Sequence, residues 1–133
     1  MKLLHITTDN KLRTINMEKL GFPNIDDFVK KKLGCSFIDI AYANQKTKVQ
    51  FCVLYDTDAV RMSKPLNKFA TLFLNQGQLV YGDAFVCVEI QTYLSYELEP
   101  CCDHLIRFLK NGFKSITESD LKILDSYVKT LCI

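Results

Sequence analysis

Two histidines, His5 and His104, are all the imidazole this chain holds, and its six cysteines include no CxxC pair. Structural zinc is held by paired Cys and His clusters, so the sequence points away from a zinc module, and no metal or cofactor is expected. Tryptophan is absent. No apolar run approaches the roughly 18 residues that would suggest a membrane-spanning helix. The opening Met1-Lys2-Leu3-Leu4-His5 reaches Asp9 before an apolar stretch of signal-peptide length forms, so a cytoplasmic location is expected. Charge of one sign is lacking as well. Lys and Arg number 17 against 15 Asp and Glu, and the balance of +2 gives no bulk electrostatic case for nucleic acid or a membrane surface. Free thiols in a reducing compartment follow from the same absences, with Cys52 and Cys87 packing as small hydrophobes inside apolar runs.

What is present suits one globular domain. A chain of 133 residues, 48% hydrophobic and 24% charged, can bury a core without staples. Lys2 to Thr7 reads as a strand ending at the turn Thr8-Asp9-Asn10, and residues 12–17 as its hairpin partner. Gly21-Phe22-Pro23 breaks the pattern. Asn24 is then an N-cap, with Ile25, Phe28, Val29 and Leu33 on one helical face. Asp26 and Asp27 at the start and Lys30, Lys31 and Lys32 at the end match the helix dipole, and Gly34 is the stop. Phe37 to Tyr42 and Val49 to Tyr55 form a second hairpin around the turn Asn44 to Thr47, closed by Asp56-Thr57-Asp58.

A short helix is expected over Leu66 to Leu74, entered through Lys64-Pro65, followed by the turn Asn75-Gln76-Gly77. Leu79 to Ile90 reads as a strand interrupted at Gly82, and the continuous apolar run Phe85-Val86-Cys87-Val88 makes it central and covered on both faces. Residues 100–111 and 117–131 read as two helices. Gly112 is the stop of the first, and Thr117 with Asp120 forms a capping-box-like start for the second. Leu105, Phe108 and Leu109 mark one stripe, and Leu121, Leu124, Val128 and Leu131 the other, leaving Ile106, Phe113 and Ile123 as extra apolar surface. The expected fold is α+β: a mostly antiparallel sheet of four to six strands, one packed helix and a C-terminal helical hairpin. Residues 1–90 would form the sheet core and 91–133 a helical extension.

Candidate sites are few. Asn67 and Thr71, four apart on a helix, share a face beside Gly82 and Asp83, and this set is the candidate for a small anionic ligand such as a nucleotide. The bland alternative has Asn67 and Thr71 tying the helix to the next strand through backbone hydrogen bonds. Asp56, Asp58 and Asp83, with Asp39, are the oxygen ligands a divalent-metal hydrolase would need, although Asp56 and Asp58 equally suit a turn. Cys102 and His104, two apart on a helix, point in different directions and make a poor nucleophile pair. Lys30 to Lys32 with Lys46, Lys48 and Lys64 would support weak nucleic-acid binding through phosphate contacts. Tyr93 and Tyr96 flank Ser95 in a stretch without clear periodicity and suit a protein-contact patch or a cover for the sheet edge.

The run Lys64-Pro65-Leu66-Asn67-Lys68-Phe69-Ala70-Thr71, followed by Tyr81-Gly82-Asp83-Ala84-Phe85-Val86, resembles a family of small proteins from phages, mobile elements and large DNA viruses. That family is catalogued as domain of unknown function 3846. The resemblance covers residues 1 to about 90. It implies a strand pair, a helix ending near glycine, two strands, an acidic turn, a Leu-Asn and Ala-Thr segment, and a Gly-led apolar strand. The acidic turn here lacks the glycine expected beside Asp58. The resemblance implies a viral or mobile-element accessory protein, in the host cytoplasm if viral, and carries no catalytic residues. The expected function is non-enzymatic binding of a host protein or a small anionic ligand, as a homo-oligomer and without a membrane.

Overall fold

The computed structural model describes residues 1–17, 24–43, 50–75, 78–91 and 96–131. Among the described residues, six strands and four helices follow in the order β1 (Lys2–Ile6), β2 (Leu12–Asn16), α1 (Ile25–Leu33), β3 (Ile38–Tyr42), β4 (Gln50–Asp56), α2 (Lys68–Leu74), β5 (Ala84–Gln91), β6 (Tyr96–Glu99), α3 (Asp103–Lys114) and α4 (Glu118–Leu131). All strand pairings are antiparallel. The sheet runs β2-β1-β5-β4-β3, with β6 continuing along the far end of β5. This is the expected α+β architecture, with the C-terminal helix pair in place.

The local chemistry of α1 follows its sequence closely. The Asn24 side chain accepts from the Asp27 N–H at 2.8 Å, Lys30 pairs with Asp26 at 2.8 Å, and Gly34 closes the helix at φ 65°. Leu3, Cys52, Leu54, Phe85 and Cys87 on one face of the sheet pack against Ile25, Phe28 and Val29 of this helix. The opposite face, with Leu4, Ile6, Phe51, Val53, Val86 and Val88, packs against Ala70 and Leu74 of α2 and Ile106, Leu109 and Phe113 of α3. Central β5 therefore has a helical layer on each side, as its unbroken apolar run requires.

Several expectations are corrected. Residues 79–81 are not strand. Tyr81 makes an isolated bridge to Leu66, and the chain turns at Gly82 (φ 79°), whose N–H donates to the Pro65 carbonyl at 2.8 Å. Pro65 lies outside α2, because Asn67 takes the N-cap and accepts from the Ala70 N–H. Helix α3 begins at Asp103 rather than Pro100, because the preceding residues continue the sheet through β6 and a Lys2–Cys101 bridge. It passes through Gly112 to Lys114, since Phe113 is buried against Phe69 and Phe73 and holds the last turn. Within the stretch expected as a helical extension, 91–133, β6 pairs with β5 and α3 packs into the core of the same sheet.

The two C-terminal helices also divide the work differently from the expected hairpin. Only α3 lies on the sheet, whereas α4 packs against α2, with Leu124 buried and Asp125 paired to Lys68 at 3.1 Å. The Thr117–Asp120 capping box is present in both directions, at 2.8 and 3.2 Å. The turns expected at 21–23, 44–47 and 76–77, and Tyr93, Ser95, Lys46, Lys48 and Cys132, lie outside the described residues.

Cys52 and Cys87 stand directly opposite each other and are fully buried, free thiols. The Ala43 N–H, just past β3, donates to the carbonyl of Phe51 on β4, so the backbone of Cys52, one residue on, faces β5. A hydrogen-bonded pair of this kind keeps its Cα atoms about 5.5 Å apart, and its Cβ atoms sit farther apart than the roughly 3.5–4.5 Å a disulfide needs. The neighbouring Cys52 and burial hold the Cys87 thiol well above its ordinary value. Burial likewise pushes Cys101 up to about 12. Among the described cysteines, native protein treated with an alkylating agent should therefore be labelled at exposed Cys102 first, with Cys52 and Cys87 reacting only on unfolding. Peptide mapping of a time course checks this, and early label at Cys87 would overturn the strand placement.

Candidate functional site

Asn67 and Gly82 of the ligand-binding set meet at the junction between β1, α2 and the start of β5. Asn67 is fully buried. Its Nδ2 donates to the carbonyls of Ile6 and Gly82, each at 3.0 Å, and its Oδ1 accepts from the Ala70 N–H at 3.1 Å. The Thr71 hydroxyl donates to the Asn67 carbonyl at 2.8 Å and accepts from the Val80 N–H at 3.0 Å. These side chains bind the chain's own backbone and hold α2 against the edge of the loop that precedes β5. A Cβ at Gly82 would meet the Lys64 side chain at 3.0 Å, so the glycine permits the close pass of that lysine as well as the positive φ.

Gly82 and Asp83 also line a small cleft of about 230 Å³ with Thr8, Lys32, Lys64 and Pro65. Asp83 faces His5 at 3.0 Å and accepts from the Thr8 N–H at 3.1 Å. The His5 ring stacks on Phe85 with centroids 4.5 Å apart. This pairing, 78 residues apart in the chain, had no local signal. Among the described residues no serine, threonine or cysteine hydrogen-bonds to His5.

The three aspartates of the hydrolase alternative are separately engaged. Asp56 is buried, pairs with Lys64 at 3.1 Å and accepts from the Asp58 N–H. Asp58 pairs with Arg61 at 3.2 Å, and Asp83 takes the contacts above. Among the described residues no three His, Cys, Asp or Glu side chains gather where they could hold a metal ion. Asp39 is exposed and accepts from the Thr57 hydroxyl. Cys102 is the N-cap position of α3 and His104 lies in its first turn, both exposed. Lys30 and Lys64 are held by Asp26 and Asp56.

A larger concavity lies elsewhere, between α2 and α3, with a volume of about 560 Å³. Leu72, Phe73, Phe108, Phe113 and Ile116 line it, with Asn111 at its rim. Phe108 is 50% exposed and stacks on buried Phe51, with centroids 6.0 Å apart and rings within 7° of parallel. Phe51, Phe73, Phe113 and Phe69 continue as a chain of ring contacts at 5.4–6.0 Å. On α4 the expected stripe is split. Leu124 faces inward, Leu121 and Val128 are half-buried, and Leu131 is exposed beside Ile123 and Tyr127, at i, i+4 and i+8. Ile106 and Phe113, read as extra apolar surface, are core.

No helix among the described residues is long and apolar enough to cross a membrane. No family model, curated protein or solved structure matches the chain.

Proposed function

We propose that this chain is a non-enzymatic accessory protein of a virus or mobile element that works by binding a host protein, as a homodimer. The apolar groove between α2 and α3 carries the reading. A half-exposed phenylalanine stacked flat at the mouth of an aromatic-lined groove is poor surface for a chain without a partner, and buried aromatics dominate protein contacts. The polar groups that would otherwise suggest chemistry are taken up internally, from Asn67 and Thr71 to Asp56 and Asp83. The viral or mobile-element part of the reading rests on the sequence resemblance over residues 1 to about 90. Homodimerisation is supported by the outward Ile123, Tyr127 and Leu131 stripe on α4.

The experiment compares proteins cross-linked to the parent chain and to Phe108→Glu in host cells. A partner recovered with the parent should be reduced at least about tenfold with the variant, a difference that loss of one central aromatic contact supplies. Both should melt within a few degrees of each other, because Phe108 is half outside the core. Equal recovery would remove the groove as the binding surface.

A further inference from the structure

A third concavity, of about 470 Å³, runs between α3 and the β1–β2 hairpin, lined by Lys2, Thr14, Asp103, Ile106, Arg107 and Lys110. Its cations come from two elements that the sequence gives no reason to join. Leu4 belongs to the face that α3 covers, so strand alternation puts Lys2 on that face too, and Thr14 lies opposite Leu4 in the ladder. Asp103, Arg107 and Lys110 follow at i, i+4 and i+7, one stripe of α3, above buried Ile106. Lys2 pairs with Asp103 at 2.8 Å. Among the described residues Arg107 and Lys110 make no ion pair, and Lys110 is half-buried. Three cations thus share one groove with one carboxylate, although the whole chain is nearly neutral.

From this geometry we infer that the α3–β2 groove is a binding site for a small ligand carrying a phosphate or diphosphate group, distinct from the apolar groove and from the Gly82–Asp83 cleft. The local field supports it. Hydrogen bonding and charge from Lys2, and then the charges of the chain's amino terminus and of Arg107, hold the Asp103 carboxyl below its ordinary value against an opposing desolvation. Arg107 offers the planar fork that grips two phosphate oxygens, the lysines add point charges, and the Thr14 hydroxyl adds a neutral donor. The volume suits a small molecule. No aromatic residue lines the groove, so it lacks the stacking platform that single-stranded nucleic acid uses, and recognition rests on the anionic group.

Titration calorimetry of the full chain with inorganic pyrophosphate tests this, at low and physiological salt. Binding should be measurable at low salt and weaken as salt rises. Arg107→Gln with Lys110→Gln should reduce affinity at least about tenfold, since charge-assisted hydrogen bonds are lost. The melting temperature without ligand should stay close to that of the parent, and Lys32→Gln with Lys64→Gln, in the other cleft, should leave pyrophosphate affinity unchanged. Absence of heat at millimolar pyrophosphate, or equal affinity in the Arg107/Lys110 variant, would overturn the site. So would a short oligonucleotide that binds the same groove more tightly than pyrophosphate, since the ligand would then be nucleic acid.

Discussion

Val86→Asp is expected to cost at least about 3 kcal/mol or to prevent folding, because it places an uncompensated carboxylate in a dry core. Val86 is fully buried in the central strand, with Leu4 opposite on β1 and Val53 opposite on β4. Its side chain faces the α2–α3 layer, and every neighbour in that cluster is apolar or aromatic. A surface control separates this from a general effect of charge. Lys122→Asp changes the exposed side of α4 and should cost under about 1 kcal/mol. Denaturant unfolding of both variants checks the pair, and a Val86→Asp protein as stable as its parent would refute the core placement.

Asn67→Ala is the second large effect, expected at about 3 kcal/mol or more. It removes the cap of α2 and strands the carbonyls of Ile6 and Gly82 and the N–H of Ala70 in a buried site. Thr71→Val should cost less, since it loses one donor to the Asn67 carbonyl and one acceptor for the Val80 N–H. The measurement is chemical denaturation of each variant, with calorimetry against pyrophosphate on whatever stays folded. If Asn67→Ala kept the parent's stability and lost an anionic ligand instead, Asn67 would be a binding residue and the tie would be incidental.

The legible parts of this fold were those written in short-range chemistry. Helix α1 announces itself through its cap, its charge order and Gly34, and β4 and β5 through β-branched and aromatic runs. Where tertiary contacts decided, sequence periodicity misread the boundaries. Phe113 keeps α3 helical through a glycine, and the Lys2–Cys101 bridge delays its start. β6, Tyr96–Glu99, is short and alternates charge with Tyr and Leu, so only its pairing with β5 identifies it. The same limit governs the sites. Asn67 and Thr71 were visible because they are four apart, and the bland alternative offered for them describes their observed bonds. His5 with Asp83, and Lys2 and Thr14 with Arg107 and Lys110, are joined only by the fold, so no spacing along the chain could pair them.

The central claim, that the helical layer is a contact surface and that the chain works as a homodimer, is tested most directly by its mass in solution. Light scattering after size exclusion at micromolar concentration should give about twice the 15.3 kDa of one chain. Ile123→Glu with Tyr127→Glu, both outside the core, should return the mass to that of one chain while leaving the fold intact. Leu124→Asp, by contrast, should lower stability, because that side chain packs within its own chain. A mass of one chain at every concentration reached would contradict the claim.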